Sequence, residues 1–383
     1  MTVDLATHVA CLTPAGTGAI AVLAIRGPDA WPVLRELFRP ASHQELPEQP
    51  RESGAIWFGR IGDGRIADEV VLTVKQIAPT ICLELHTHGG RQVADWVIEL
   101  LLEKGLTQCS WERFLHLTDS IGDADAWQQL ARAPTVRTAT ILLDQAQGAL
   151  RSKLTAVVDS CRGGRTAEAT ERVDEILQYS RLGMHLISPW IVVVAGPPNV
   201  GKSSLVNALA GFERSIIAPV AGTTRDVVST VTAIDGWPVE LRDTAGLRVE
   251  ATGLEAAGIE RAQAAVDGAD LVLWLSDAIG PTAVAAAAPN RRVVSECLTV
   301  LNKCDLVGTT PAMSADIRIS ARTGAGLFEL CAAISRKLVP SPPARRSGVP
   351  YLSSQIAALL HIRSALTSNG ATTVGEALAA LGA

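Results

Sequence analysis

The chain has 383 residues, of which 19% are charged, and a formal net charge of −5 at pH 7. This length allows two or three domains, each large enough to bury its own core. The mildly acidic balance gives no general attraction to nucleic acid or to an anionic membrane, although it leaves a local basic patch open.

Seven cysteines are scattered along the sequence without a C-x-x-C pair. This pattern is typical of free thiols in a reducing compartment, and of neither a disulfide framework nor a zinc site. The sequence shows neither a secretory leader nor an uninterrupted apolar run of membrane-spanning length. We therefore expect a cytoplasmic protein without a membrane partner.

Residues 1–118 mix the strand-like runs AIAVLAIRG and ICLELHTH with the helical pattern RQVADWVIELLLEKG. We expect that helix to end at Gly105, because a glycine in the left-handed conformation commonly follows a helix. These patterns predict an N-terminal α+β domain. In residues 119–188 apolar positions recur every three or four residues, which predicts the first part of a helical domain.

Residues 189–340 alternate strand-like and helical runs. The predicted strands are IVVVAG, VSTVTAI, VELRDTAG, LVLWLSD, LTVLNKCD and DIRISA. Helices are expected after the loop GPPNVG, after Gly253 and after Gly324. This alternation predicts an α/β domain with a doubly wound, mostly parallel sheet. Residues 341–383 add a proline-containing linker, PSPPARRSGVP at 340–350, and a further helical stretch.

The run GPPNVGKSS matches the phosphate-binding pattern G-x-x-x-x-G-K-[ST], follows an apolar strand and opens a helix. Its glycines let backbone N–H groups surround phosphates at the helix N-terminus. Lys202 is expected at the β- and γ-phosphates and the Ser203 hydroxyl at Mg²⁺, joined by Asp243 at the end of a later strand. The residues of this loop expected to bind nucleotide are Asn199, Val200, Gly201, Lys202, Ser203 and Ser204.

Two further motifs predict that the base is guanine. In NKCD, Asp305 would accept hydrogen bonds from guanine N1 and N2, donors that adenine does not present in this arrangement. In SAR, the backbone of Ala321 would lie near guanine O6. Four motifs in the correct order predict guanine nucleotide binding. The base-recognition residues are Asn302, Lys303, Asp305, Ser320, Ala321 and Arg322.

The run DTAG, from Asp243 to Gly246, is typical of the metal-proximal loop of GTPases, and both residues are expected at the nucleotide. In Ras-like enzymes the next residue is a glutamine that orients the attacking water. Here it is Leu247, which can neither donate nor accept a hydrogen bond from its side chain. Either the protein binds nucleotide without hydrolysing it, or another residue handles the water.

Several of these segments resemble one family closely. GPPNVGKSSLVNALAG, VAGTTRDVV, IDGWPVELRDTAGLR, GIERA, VLNKCDL and SARTGAGL are similar to the MnmE/TrmE tRNA-modification GTPases. So are the N-terminal runs TPAGTGAIAVLAIRG and LELHTHGG. The resemblance is dense in the GTPase domain, discontinuous in the N-terminal domain and weak in the helical parts. It implies a GTPase domain inserted in a helical domain.

The resemblance implies that a K⁺ ion assists catalysis beside the phosphates. A fixed cation there stabilises the charge that develops in the transition state. The side chain of Asn199 would bind K⁺, together with Thr223 and the backbone carbonyls around Ala218 and Val220. Thr224 would join Ser203 and Asp243 at Mg²⁺.

Glu255 would handle the attacking water. The family places a glutamate twelve residues after the D-x-x-G aspartate, and Glu255 has this spacing from Asp243. Acting through a second water, it would orient the nucleophile, so that Leu247 does not indicate an inactive enzyme. The alternative is a solvated carboxylate in a first helical turn, favoured by the helix dipole.

In the N-terminal domain, LELHTHGG places Glu84, His86 and His88 on one face of a strand. A Zn²⁺ or Fe²⁺ site is one interpretation, and a structural role for His88 at the end of the strand is another. The resemblance instead implies a 5-formyl-tetrahydrofolate pocket contacted by Arg26 and Glu84. The alternative for Arg26 is a surface arginine at a strand end.

The sequence also departs from the family. Thr118 stands where the family has a folate-site lysine, and the printed sequence ends in EALAALGA without the family's F-C-[IV]-G-K. We therefore expect a shortened member with a reduced helical domain and weak or absent folate binding.

In the family, the GTP cycle serves wobble-uridine modification of tRNA with a flavoprotein partner, and the N-terminal domain forms a homodimer. Two functions follow for this chain: an MnmE-like GTPase assisted by K⁺, or a GTP-dependent switch that binds a protein partner and has lost the tRNA chemistry.

Overall fold

The computed structural model describes residues 6–14, 16, 18–42, 45–50, 52–64, 66–118, 121–212, 229–243, 268–279, 296–307 and 315–367. The chain divides into two compact units, Met1–Ser120 and Ile121–Ala383. The finer division at residues 118, 188 and 340 stays a prediction.

The first unit is built on a seven-stranded sheet of order β3-β4-β5-β6-β2-β1-β7. Its strands are β1 (His8–Cys11), β2 (Ile20–Arg26), β3 (Phe38–Pro40), β4 (Ile56–Gly62), β5 (Ala67–Gln76), β6 (Cys82–His88) and β7 (Thr107–Gln108). Neighbouring strands are antiparallel except β1 and β7, which run parallel.

One face of this sheet packs against the helices α1 (Ala30–Leu37) and α2 (Arg91–Glu103). Leu34 and Leu101 from these helices belong to the same buried cluster as Leu85 from β6. α2 ends two residues before Gly105, whose φ of 89° is in the left-handed region. The predicted helix end is therefore confirmed.

The opposite face of the sheet carries polar side chains and exposed apolar ones. Because strand residues alternate between faces, Glu84 and His86 lie on the face opposite Leu85. In cross-strand register, Ile56 and Phe58 of β4 lie on this same face, and they are 65% and 54% exposed. The helix α3 (Trp111–Thr118) buries Phe114 against Ala10, Ala24 and Cys82.

The second unit contains a six-stranded sheet of order β13-β12-β11-β8-β10-β9. Its strands are β8 (Trp190–Ala195), β9 (Ser229–Ile234), β10 (Trp237–Asp243), β11 (Leu271–Asp277), β12 (Cys297–Asn302) and β13 (Ile317–Arg318). All neighbours are parallel except the hairpin β9–β10. The predicted mostly parallel α/β domain is confirmed, and the helix expected after Gly253 lies outside the described residues.

Helices precede, accompany and follow this sheet. They are α4 (Ile121–Leu130), α5 (Val136–Ala146), α6 (Ala149–Arg162), α7 (Thr166–Leu177), α8 (Ser180–Met184), α9 (Lys202–Phe212), α10 (Leu327–Leu338) and α11 (Ser353–Thr367), with a 3₁₀ turn at Cys304–Leu306. α11 packs on α7, with Arg363 3.3 Å from Asp174. Helices from before and after the sheet therefore pack together, as expected for an inserted GTPase domain.

The turn between β9 and β10 is attached to the start of α5. Thr135 caps α5 by accepting from the Thr138 N–H at 3.3 Å, and its hydroxyl donates to the Gly236 carbonyl at 2.7 Å. Arg137 donates to the carboxylate of Asp235 at 3.0 Å. The same carboxylate accepts from Ser335 of α10 at 2.7 Å. Three elements therefore meet at this turn.

Across the described residues, no helix is both long enough and apolar enough to span a bilayer.

Candidate nucleotide-binding site

The predicted nucleotide motifs follow the carboxyl ends of neighbouring parallel strands. β8 leads into the loop 196–201, β11 ends at Asp277, and β12 ends at Asn302 in register with Asp277. Ligands of open α/β sheets bind at this edge. The sheet order therefore brings together residues separated by about a hundred positions in the sequence.

Two glycines allow the loop after β8 to pass close to neighbouring strands. A Cβ on Gly196 (φ 146°) would stand 2.1 Å from the Leu275 carbonyl oxygen. A Cβ on Gly201 (φ 97°) would stand 2.5 Å from the side-chain nitrogen of Asn302. Any larger residue would push the loop away from the sheet. Between them Asn199 also has a left-handed backbone, with φ 64°.

Lys202 is the first residue of α9, and its side chain folds back over the loop. Its ammonium donates to the carbonyls of Gly196 at 3.1 Å and Pro197 at 2.8 Å. A helix N-terminus carries partial positive charge and N–H groups without intrahelical partners. The lysine and the helix end therefore add two positive contributions at the position predicted for the phosphates.

Ser203 and Asp243 meet at the same edge of the sheet. The Ser203 hydroxyl donates to the carboxylate of Asp243, which is 4% exposed and ends β10 beside β8. A hydroxyl and a carboxylate are oxygen ligands that suit Mg²⁺, so the two residues fit the predicted metal role. Thr224, the third expected ligand, lies outside the described residues.

Asn302 connects the phosphate loop to the base-recognition loops. Its side-chain nitrogen donates to the Val200 carbonyl at 2.9 Å, and its side-chain oxygen accepts from the Ala321 N–H at 3.0 Å. The side chain is 3% exposed. Asn302 therefore ties the phosphate loop, through the Val200 backbone, to the loop at Ala321.

Asp305 is held by two residues of the SAR motif. Its carboxylate accepts from the Ser320 hydroxyl at 2.7 Å and from the Arg322 Nε at 3.2 Å. The hydrogen bond from Ser320, followed by that from Arg322, lowers the pKa of Asp305 below its ordinary value. The group is therefore ionised at neutral pH, the state needed to accept hydrogen bonds from guanine.

Lys303 links the base-recognition loop to the phosphate loop. Its ammonium donates to the Asn199 carbonyl at 2.8 Å and to Asp277 Oδ2 at 2.9 Å. Asp277 belongs to none of the nucleotide motifs predicted from the sequence. The signal that could have found it is its position as the last residue of LVLWLSD, one strand away from NKCD.

The structure brings together most of the predicted nucleotide residues. Asn199, Gly201, Lys202, Ser203, Asp243 and the residues of NKCD and SAR lie at one edge of the sheet, and Ser204 follows in the exposed first turn of α9. Seven other residues of the predicted mechanism lie outside the described residues: Ala218, Val220, Thr223, Thr224, Gly246, Leu247 and Glu255.

The predicted folate residues occupy neighbouring positions on the face of the first sheet opposite α1 and α2, where α3 also packs. Arg26 pairs with Cys82, and Glu84 pairs with Ala24, which places them diagonally across β2 and β6. The buried Nη1 of Arg26 has no hydrogen-bond partner among the described residues. Glu84 lies 3.5 Å from the Lys75 ammonium. An orphaned guanidinium nitrogen fits the carboxylate of a folate.

The histidines of the same strand make local contacts. His88 Nδ1 lies 2.7 Å from an oxygen of Asp68 on β5, so it ties the end of β6 to its neighbour. His86 Nε2 lies 3.4 Å from Glu84. In the part of the chain that the structure describes, no group of three His, Cys, Asp or Glu side chains could hold a metal ion.

Comparisons with known proteins agree with both units. Residues 191–305 match the family described as "50S ribosome-binding GTPase", and residues 7–111 match "GTP-binding protein TrmE N-terminus". Among solved structures, the G domain of the T. maritima FeoB iron transporter is 24% identical and covers 39% of this chain and 97% of that chain. The TM-score of this match is 0.29.

Curated relatives match along most of the chain. The tRNA modification GTPase MnmE of Synechococcus sp. is 31% identical over 86% of this chain and 80% of its own length. That of Chloroflexus aurantiacus is 30% identical over 87% and 82%, and that of Akkermansia muciniphila 31% identical over 88% and 82%. With the nucleotide motifs assembled at one sheet edge, the chain belongs to the MnmE family of tRNA modification GTPases.

Proposed function

We propose that this protein binds GTP with Mg²⁺, hydrolyses it with the help of K⁺, and uses this cycle in tRNA modification. The observation that carries the proposal is the meeting of Lys202, Ser203 and Asp243 beside a fixed, ionised Asp305. These residues combine a phosphate-binding cation, two Mg²⁺ ligands and a guanine acceptor at one edge of the sheet.

The residues divide the work between base and phosphates. Asp305 accepts from the guanine ring, while Asn302 keeps the Ala321 backbone and the phosphate loop at a fixed spacing. Lys202 and the N–H groups at the start of α9 bind the β- and γ-phosphates. Ser203 and Asp243 would hold Mg²⁺, which would neutralise charge on the phosphate oxygens. Preorganised contacts of this kind cost no rearrangement during the reaction.

K⁺ would be bound by Asn199 together with Ala218, Val220 and Thr223. Amide, carbonyl and hydroxyl oxygens are the donors that replace the hydration shell of K⁺. The left-handed backbone of Asn199 and the bond from Lys303 to its carbonyl fix this residue in the loop. K⁺ supplies positive charge where negative charge develops between the phosphates.

The K⁺ proposal is tested by measuring GTP hydrolysis in KCl and in NaCl at equal ionic strength. We expect hydrolysis to be on the order of a hundredfold faster in KCl, the scale of one lost transition-state contact of ~3 kcal/mol. Asn199→Ala should abolish the difference. Asn207→Ala, an exposed asparagine one turn along α9, is the matched control and should preserve it. Equal wild-type rates in the two salts would contradict the proposal.

Glu255 is proposed to orient the attacking water. Ras-like enzymes use a glutamine for this role, and Leu247 occupies its position here. Because such a residue contacts only the water, Glu255→Ala should leave GTP affinity nearly unchanged. It should lower kcat by at least tenfold, and by on the order of 10²-fold if Glu255 contributes as much as a typical general base. Single-turnover hydrolysis and equilibrium GTP binding separate the two effects. A variant with the wild-type kcat would remove Glu255 from the mechanism.

The cellular role is proposed from the relatives, whose names state tRNA modification. tRNA and a flavoprotein would be the partners, in the cytoplasm, where the seven free thiols of this chain remain reduced. These names do not favour the alternative of a switch without tRNA chemistry. Nucleoside mass spectrometry of tRNA from a deletion strain is the test: unchanged wobble uridines would support the switch instead.

A homodimer is proposed through the first unit. Its sheet face opposite α1 and α2 exposes Ile56 and Phe58 of β4, which lie in register, across β5, with the polar residues Glu84 and His86 of β6. Adjacent exposed apolar side chains on one face are typical of interaction surfaces. Sedimentation of the full chain measures the association, and a monomer at all accessible concentrations would argue against it.

A further inference from the structure

Asp277 is a buried carboxylate that none of the recognised nucleotide motifs contains. It ends β11 and is paired in register with Asn302 at the end of the parallel strand β12. Its side chain is only 11% exposed. A charge this far from water requires a partner, because an unpaired buried charge is strongly unfavourable.

The partner of Asp277 is the lysine of the guanine-recognition motif. Lys303 Nζ lies 2.9 Å from Asp277 Oδ2 and 2.8 Å from the Asn199 carbonyl oxygen. The lysine therefore bridges the end of β11 and the phosphate-binding loop. Two of its three N–H donors are used in this bridge.

Asp277 is itself held in place. Its other oxygen, Oδ1, accepts from the Ile279 N–H at 3.2 Å. The N–H of Ala278, which lies between Asp277 and Ile279, donates to the Asn302 carbonyl at 3.0 Å. The carboxylate is thus a fixed acceptor on a strand end, whereas the lysine has a flexible four-carbon stem. The fixed group sets the position of the flexible one.

We propose that Asp277 is a positioning residue of the nucleotide site, which holds the Lys303 ammonium against the Asn199 carbonyl and thereby fixes the spacing between the guanine-recognition loop and the phosphate loop. This inference rests on the proposed GTP-binding function. It assigns to Asp277 a contribution to nucleotide affinity without contact to the nucleotide.

The proposal extends to Asn199, the residue proposed to bind K⁺. Lys303 fixes the Asn199 carbonyl. Without the Asp277 carboxylate the lysine is no longer held in place, and the loop at residue 199 loses one restraint. The K⁺ site is then less preorganised. Affinity for guanine nucleotide and the response to K⁺ should therefore weaken together.

The first experiment measures the affinity of the full chain for a fluorescent GDP analogue with Mg²⁺. Asp277→Asn keeps the shape and removes the charge, and we expect about tenfold weaker binding, the scale of one charge-assisted hydrogen bond. Asp277→Glu keeps the charge and should retain part of the affinity. Thermal unfolding without nucleotide is followed in parallel, to compare the stability of each variant with its affinity.

Asp316→Asn is the matched control. Asp316 also accepts from a neighbouring strand, with the backbone N–H and hydroxyl of Thr299 both at 2.8 Å, but it lies before β13, away from the carboxyl ends of the strands. This substitution should leave nucleotide affinity unchanged. If it weakened binding as much as Asp277→Asn, any lost carboxylate in this sheet would have the effect, and the proposal would be overturned.

A double-mutant cycle with Lys303→Met separates positioning from general stability. If Asp277 acts through Lys303, adding Asp277→Asn to Lys303→Met should produce no further loss of affinity. Additive losses, or wild-type affinity in Asp277→Asn alone, would overturn the proposal. Because Asp277 is proposed to act through Lys303, Lys303→Met alone should lose at least as much nucleotide affinity as Asp277→Asn. This comparison keeps the test decisive if one variant is unstable.

The K⁺ concentration for half-maximal GTP hydrolysis provides the second measurement. Asp277→Asn should raise it several-fold, whereas Asp316→Asn should not. Failure of the proposed function has a different signature: a wild-type chain that does not bind the GDP analogue, or a wild-type rate that does not respond to K⁺. An unchanged half-maximal concentration in Asp277→Asn, with a K⁺-responsive wild type, would overturn the extension to Asn199.

Discussion

Asp305, the proposed guanine acceptor, also contributes to the local stability of its loop. Ser320 and Arg322 hold its carboxylate and lower its pKa. For a carboxylate whose pKa is lowered by folding, the stabilisation is fully present above the unfolded pKa and is lost as the pH falls through the folded pKa. At neutral pH the contribution is therefore complete, and Asp305 presents its acceptors in the ionised form.

Asp305→Asn tests guanine recognition. The substitution replaces one carboxylate oxygen with an amide donor, which should oppose the guanine N2 donor and favour the carbonyl of xanthine. We expect GDP affinity to fall at least tenfold, the scale of about 1.5–3 kcal/mol for a bond to a charged group, and XDP affinity to rise. Ser320→Ala is the control, because it removes a bond to Asp305 without changing the acceptor. Unchanged GDP binding in Asp305→Asn would remove this residue from the base site.

The sequence predicted Asp305, Asn302 and Asp243 because their motifs have fixed spacings and follow apolar strands. It did not predict Asp277, whose role depends on the bond from Lys303 across two strands. Nor did it show that Asn302 holds two loops, since its partners are 102 and 19 residues away in sequence. Motif spacing therefore identifies residues of the site, whereas the bonds that hold those residues in place are specified by tertiary contacts.

At the level of elements, α5 and the β9–β10 turn form one connected structure. Thr135 caps the helix and also bonds to Gly236, and Arg137 stacks over the Trp237 ring at 4.9 Å while it binds Asp235. The sequence predicted both the helix and the two strands. It could not predict their attachment, because hydrophobic periodicity describes each element separately.

Thr135→Ala should destabilise the second unit by roughly 1–3 kcal/mol, because it removes a helix cap and a buried hydrogen bond together. Urea unfolding of the full chain measures the change. Thr140→Ala is the matched control: the Thr140 hydroxyl donates within α5, to the Val136 carbonyl at 2.8 Å. Its effect should stay within about 0.5 kcal/mol. Equal effects of the two substitutions would show that the attachment of the turn contributes nothing.

At the level of the whole molecule, the two units differ in their predicted sites: the second unit carries the GTPase motifs and the first carries the predicted folate residues. The described residues of the GTPase motifs lie at the carboxyl edge of one sheet. On the other sheet, Arg26 and Glu84 lie on the face opposite α1 and α2, and Arg26 has a buried nitrogen without a hydrogen-bond partner among the described residues. The resemblance implies that residue 118, a threonine here, stands at the position of the family's additional lysine. Strand alternation predicted that Glu84, His86 and His88 share one face of their strand, whereas the pairing of β2 with β6, which brings Arg26 near Glu84, became known only from the sheet order.

We predict weak binding of 5-formyl-tetrahydrofolate by the wild-type chain. A formyl-folate is anionic through its glutamate tail, so its site needs cationic or N–H donors near the carboxylates. Arg26 supplies one such donor, but the second is missing at Thr118. The absence of one charge-assisted contact costs about 1.5–3 kcal/mol, or roughly ten- to a hundredfold in affinity.

Calorimetric titration measures this affinity, and a gain-of-function variant sharpens the test. Thr118→Lys restores the family's residue and should tighten binding by roughly ten- to a hundredfold. Gln108→Lys, which adds the same charge at an exposed position on β7, is the control and should leave the affinity unchanged. Arg26→Ala should abolish the binding gained by Thr118→Lys. Tight, stoichiometric binding by the wild-type chain, lost in Arg26→Ala, would show that Arg26 and Glu84 suffice without the lysine.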